Sequence, residues 1–189
     1  MAERKISEKS LENLKRFNQE NNAITRESIE ISLLQLLEKK DLKKITISEL
    51  VQRAGVSRAA FYRNYGSKEE ILESIFQSSI AKITKSLDGY NLKTDLYQVW
   101  VYLFKEVKKE AKIISLAIDY NLERLLTKAV YDFLEKRNGS SSNGAGSYLN
   151  SFWSSAIVSV ISKWIKDGMK IPAEKIATLG LPLFPQKKK

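Results

Sequence analysis

The chain has 189 residues, 43% of them hydrophobic, carries a formal net charge of +10, and contains no cysteine and no histidine. This removes a cysteine nucleophile, a Ser-His-Asp triad, a zinc finger and any histidine-based metal site, and the sequence offers neither a glycine-rich phosphate loop nor a tight carboxylate cluster for other catalysis. With eight glycines, three prolines and no run approaching eighteen apolar residues, the expectation is an all-α, cofactor-free protein of the reducing cytoplasm with no membrane partner.

The first two dozen residues are polar and helix-permissive, with Leu11, Leu14 and Phe17 near helical spacing. They either extend the first helix or stay loose; a loose terminus is the expectation, with a basic arm touching DNA as the alternative. A leading helix is expected from Thr25 to Glu38. Thr46-Ile47-Ser48-Glu49 then forms a T-x-x-E capping box, in which the Thr46 hydroxyl accepts from an orphan amide and Glu49 reaches back. Ile47, Leu50, Val51 and Ala54 make one apolar stripe. Gly55 ends it, because glycine best tolerates the left-handed conformation that closes a helix. Ser57 caps a second helix, with Phe61 and Tyr65 on its inward side. Ala59 and Ala60 keep its outer face low enough to enter a groove, and Arg58, Tyr62 and Arg63 project outward.

Two short helices about a glycine corner are the layout of a helix-turn-helix, whose second helix presents its first turns to base edges. Arg58 is the candidate for a bidentate contact with guanine, worth about 1–3 kcal/mol of discrimination. Between Lys39 and Lys68 eight basic residues stand against two acidic ones, an excess that suits phosphate. The remaining basicity is spread over both halves of the chain and discriminates nothing.

Taken together, T-x-S-E-L-V from Thr46, R-A-G-V-S from Arg53, F-Y-x-x-Y from Phe61 and G-S-K-E-E-I-L from Gly66 closely resemble the N-terminal domain of the tetracycline-repressor (TetR) family of bacterial transcription regulators, over roughly Ala23 to Ile83. The resemblance implies that Thr46, Ser57, Arg58, Ala59, Ala60, Tyr62, Arg63 and Lys68 face DNA, with Tyr62 and Lys68 as phosphate clamps. It departs after Tyr62, where Arg63 and Asn64 replace the aromatic, histidine or leucine often found there, so the operator sequence is not readable. The domains expected are an N-terminal extension (1–22), a DNA-binding domain (23–83, helix-turn-helix about 46–65) and a C-terminal regulatory and dimerisation domain (84–189).

Ser67 to Glu70 forms a second capping box, and the helix it opens carries Ile71, Leu72, Ile75, Phe76, Ile80 and Ile83 on one face. An apolar helix should start at Thr94-Asp95, followed by helical stretches at 113–118 and 122–134 and a breaker-rich loop from Asn138 to Ser147. The helix from about Tyr148 to Lys166 carries the stripe Leu149, Trp153, Ile157, Ile161, Trp164 beside a second of Ser151, Ser155, Ser159 and Ser162. Small residues permit close approach, so this helix is expected to form a homodimer interface through the four serines and Trp164; the alternative for the serines is an ordinary solvated face. Ile176, in a final helix running to Phe184, joins the interface by the family resemblance.

Tyr97, Trp100, Tyr120, Tyr131 and Trp153 are the candidates to line a small-molecule effector pocket, with Tyr102, Phe104 and Phe152 nearby; the alternative for such aromatics is plain core. The function expected is a dimeric repressor released from an inverted-repeat operator in double-stranded DNA by an effector. The alternative is a regulator or coactivator controlled by a protein partner through the C-terminal domain. A continuous cavity beside Trp100 and Trp153 favours the first; a filled core with an exposed apolar patch favours the second.

Overall fold

A computed structural model describes residues 8–85, 87–91, 94–138 and 145–179. Among them every regular element is helical, and the chain divides into two compact units between Leu72 and Glu73. That division falls inside a helix, earlier than the Ile83 boundary the motif pattern suggested.

The first unit contains α1 (Glu8–Leu37), a 3₁₀ turn (Leu42–Lys44), α2 (Ile47–Ala54), α3 (Arg58–Asn64) and the start of α4 (Lys68–Thr84). From Glu8 onward the expected loose terminus is helix instead, continuous with the rest of α1. Neither proline nor glycine occurs between Glu8 and Leu37 to interrupt it. The core is built from Ile29, Leu33 and Leu37 of α1, Ile45, Leu50 of α2, Phe61 of α3 and Ile71 and Leu72 of α4, all essentially inaccessible. Burying a large aliphatic or aromatic side chain contributes about 1.5–3 kcal/mol, so this set fixes the three-helix arrangement that aims α3.

The second unit contains the remainder of α4, a short 3₁₀ turn (Leu87–Gly89), α5 (Leu96–Lys109), α6 (Ala111–Asp119), α7 (Glu123–Asn138), α8 (Ala145–Lys166) and α9 (Ala173–Ala177). Helices α7 and α8 pack along one another, and α5 packs on α9. The buried face of α8 carries Asn150, Ser154, Val158 and Ile161, spaced four, four and three apart. Trp100 stacks on Phe104 at 5.5 Å, and Phe104 meets Trp164 edge-on at 4.9 Å. The Trp164 indole donates to the Ile171 carbonyl at 2.8 Å, which ties the turn after α8 back onto the helix.

Helix α8 starts at Ala145, three residues before the expected Tyr148. Residues 139–144 of the expected loop and 180–184 of the expected last helix lie outside the described residues.

Candidate nucleic-acid interface

Local chemistry builds the corner. The Thr46 hydroxyl accepts from the Glu49 amide at 3.2 Å, and the Ser57 hydroxyl from the Ala60 amide at 3.0 Å. Gly55 sits at φ 67, ψ 26, and the Val56 amide returns to the Val51 carbonyl at 3.0 Å, the hydrogen-bond pattern of a glycine-closed helix end. The capping boxes depart from the expected reciprocity. The Glu49 carboxylate accepts from the Lys40 ammonium at 2.5 Å, and the Glu70 carboxylate from the Gly66 amide at 2.6 Å.

The inward side of α3 is locked to α1. Tyr65 is buried, its hydroxyl donates to the Glu30 carboxylate, and the Arg26 guanidinium lies 4.4 Å over its ring. Arg26 also donates to the Asn64 carbonyl at 3.2 Å. Helix α2 is held by Arg53, which donates to Gln35 of α1 at 2.9 Å. The sequence pattern missed Arg26 and Glu30, because their partners lie 38 and 35 residues away and no periodicity links them.

The outward side of α3 presents Arg58, Ala59, Tyr62 and Arg63, all exposed, with Ala60 half-buried behind them and Thr46 and Ser57 exposed as caps. Arg58 reaches back to donate to the Ser48 hydroxyl, so its guanidinium is held against α2 while staying at the surface. Lys68 differs from the outward clamp expected. Its ammonium donates to the carbonyls of Leu42 and Ile45 at 2.7 and 2.6 Å, a second donor for Leu42, whose oxygen also accepts from the Ile45 amide at 3.2 Å in the 3₁₀ turn. Arg63 faces an open groove whose other wall is Asn18, Asn21, Asn22 and Thr25 of α1.

In the second unit a cavity of about 230 Å³ lies among the end of α4 (Ile80, Ile83, Thr84), α5 (Trp100), α7 (Phe133) and α8 (Trp153, Ile157). No charged residue lines it, and Thr84 is its one hydroxyl-bearing wall residue, already donating to the Ile80 carbonyl at 2.7 Å. Trp100 is buried and its indole N–H has no hydrogen-bond partner. Of the five aromatics expected here, only Trp100 and Trp153 line the cavity. Tyr97 is exposed, Tyr120 is half-buried away from the cavity, and Tyr131 bonds along its helix to Glu135. That bond, with desolvation second, raises the Tyr131 phenol above its ordinary 10.0.

The expected dimer face is also corrected. Ser162, Trp164 and Ile176 are buried within the chain. Trp164 turns into the aromatic cluster, and Ile176 packs in α9, whose Glu174 pairs with Lys105 of α5 at 2.7 Å. The exposed face of α8 instead joins Ser151, Ser155 and Ser159 to Tyr148, Leu149 and Phe152, which are 80%, 52% and 61% accessible. Leu149, in one stripe with Trp153, Ile157, Ile161 and Trp164 by spacing, is on this outer side. Among the described residues no group of acidic side chains could hold a metal ion, and no helix is long and apolar enough to cross a membrane.

Residues 33–75 match the family model described as bacterial regulatory proteins of the tetR family, and residues 94–181 match a transcriptional regulator C-terminal region. The uncharacterised HTH-type transcriptional regulator YxbF of Bacillus subtilis is 41% identical over 64 residues, 33% of this chain; the chain spans only 17% of that relative's length. The HTH-type dhaKLM operon transcriptional activator DhaS of Lactococcus lactis is 26% identical over 161 residues, 80% of this chain and 85% of that protein. Among solved structures, Lin0861 from Listeria innocua superposes with a TM-score of 0.69 at 15% identity, covering 83% of this chain and 87% of that one. A TetR transcriptional regulator from Streptococcus agalactiae gives 0.55 at 20% identity, covering 85% and 93%.

Proposed function

The chain belongs to the TetR family of bacterial regulatory proteins and is a DNA-binding, non-enzymatic transcriptional regulator, and we propose that it works in the cytoplasm as a homodimer on an inverted-repeat operator, under the control of a small apolar effector. The observation that carries the DNA reading is α3 itself. Its inward side is pinned by Phe61 and Tyr65, and its outward side offers Arg58, Ala59, Tyr62 and Arg63 to a groove. Arg58 reads a base edge, Tyr62 and Arg63 hold phosphates, and Thr46 and Ser57 add short polar contacts.

One short helix reads only a few base pairs, so two heads about 34–36 Å apart are needed for a specific site. The exposed stripe of Tyr148, Leu149 and Phe152 with the three outer serines is the surface a second copy would cover. Control enters through the cavity. Helix α4 begins with Lys68 braced on Leu42 and Ile45 and ends with Ile80, Ile83 and Thr84 in the cavity wall. A ligand seated there acts on the helix that opens at the reading head. It shifts DNA affinity by the difference between its affinities for the two conformers.

DhaS, matched over most of the chain, is an operon activator, and a reporter fused to the selected operator reads the sign of regulation for this chain. The exposed patch on α8 also favours a second reading, in which a protein partner covers it. Selection of bound sequences from a random duplex pool, with sedimentation of the complexes, tests the main reading. An enriched inverted repeat bound by two copies supports it; salt-sensitive retention without enrichment, or a monomer on a single half-site, overturns it.

A further inference from the structure

Helix α1 begins long before the family model does: it is continuous from Glu8, while the match starts at residue 33. Arg26 is braced on the C-terminal end of α3 through the Asn64 carbonyl. The eighteen residues from Glu8 to Thr25 therefore run about 27 Å past that brace as rigid helix. The groove between this extension and α3 has Arg63 on one wall and Asn18, Asn21, Asn22 and Thr25 on the other.

Helical spacing sorts the charges. Asn18, Asn22 and Thr25 share a face with Leu11, Leu14 and Lys15, while Glu20 and Glu27, together with Lys9 and Arg16, fall on the opposite side. Arg16 pairs along the helix with Glu20, off this face. The groove wall thus carries amides and no carboxylate, next to an arginine on the reading helix. A surface meant only for water has no need of that sorting; a polyanion passing along it does, since like charge beside phosphate is unfavourable.

We propose that the amide face of α1, led by Asn18 and Asn22, holds the sugar-phosphate backbone of the duplex immediately outside each half-site. Asparagine side chains donate to phosphate oxygens without adding charge. The stripe from Asn18 to Thr25 is about 10 Å long, which matches about three base-pair rises of DNA. The half-site therefore extends about three base pairs beyond what α3 reads, and these added contacts are sequence-tolerant. The inference rests on α3 binding DNA, and the test separates the two.

Selected operators are compared with copies trimmed at the half-site edge, using the full chain and the double variant Asn18→Ala, Asn22→Ala. Both positions are exposed and alanine favours helix, and circular dichroism checks the fold. The parent should bind the flanked operator about tenfold more tightly than the trimmed one, and the variant should lose that ratio while keeping the same affinity for the trimmed duplex. The opposite change, Asn18→Lys with Asn22→Lys, should tighten the flanked operator and steepen its salt dependence by about two contacts per head. An unchanged flank ratio in both variants overturns the proposal and leaves the reading helix untouched; absence of any selected operator overturns the underlying reading instead.

Discussion

Arg58 and Lys68 are both basic and both close to the Gly55 corner, and they differ in what holds their charge. The Arg58 guanidinium rests on the Ser48 hydroxyl at the surface, a neutral partner it can exchange for a base edge. Arg58→Ala should relax preference at one position of each half-site by about 1–3 kcal/mol and leave the others unchanged, as read by selection from random duplexes. Uniform weakening across all sequences would place Arg58 on phosphate. Lys68, in contrast, donates to two main-chain carbonyls in the half-buried space under the 3₁₀ turn. Lys68→Ala removes the ammonium from both oxygens, leaving Leu42 only its bond from the Ile45 amide, so it should destabilise the first unit by about 1–3 kcal/mol and weaken every duplex in parallel, with the salt slope unchanged. A slope lowered by one contact at an unaltered melting temperature would return Lys68 to the phosphate clamp that its motif suggested.

Among the elements, the caps and the corner were legible in the sequence because their chemistry is local. Thr46, Gly55 and Ser57 act on residues at most four positions away. The buried positions Leu50, Phe61 and Tyr65 followed from the same short spacing. Long-range pairs had no such signal: Arg26 and Glu30 meet α3 only once the chain has folded back. Helix α8 defeated the periodicity for another reason. It is apolar or small on nearly every side, so the pattern shows stripes without saying which one is buried; the buried one, Asn150-Ser154-Val158, contains two polar residues. For α9, the tether to α5 is electrostatic as well as apolar. The Lys105 hydrogen bond, with the helix backbone second, holds the Glu174 carboxyl below its ordinary 4.5, and the same bond holds Lys105 above 10.5. The pair's contribution is therefore complete between those ordinary values. It is lost as pH falls through the lowered carboxyl value or rises through the raised ammonium value. Acid titration should loosen α9 below pH 4.5 in the parent, and Glu174→Gln should remove that step; a parent insensitive to acid there would show that apolar packing alone holds α9. Both groups are exposed and the effect is small.

At the scale of the whole molecule, the two units share α4, and each leaves one surface that a single copy does not use: the outward side of α3 and the apolar side of α8. Phe152→Glu puts a charge at the centre of the second. On the proposed homodimer, it should convert dimer to monomer in sedimentation and weaken a full inverted repeat far more than a lone half-site, because the advantage of two linked heads disappears. Retention of the dimer would move the interface elsewhere.

The cavity beside Trp100 and Trp153 has one further effect. Around its volume of about 230 Å³, apolar side chains such as Trp100 and Trp153 lack packing partners on one side, contacts that a ligand would supply. A ligand at a hundred times its dissociation constant restores about 2.7 kcal/mol, which should raise the melting temperature by roughly 5–10 °C in a chain of this size; a filling ligand that produced no shift would mean the cavity closes in the free protein. In a cell the unfilled chain opens more often and is the form proteases find. Under the proposed control, a ligand would then set how many copies of the regulator survive as well as how tightly each one holds DNA, and the protein's own lifetime would become part of the signal.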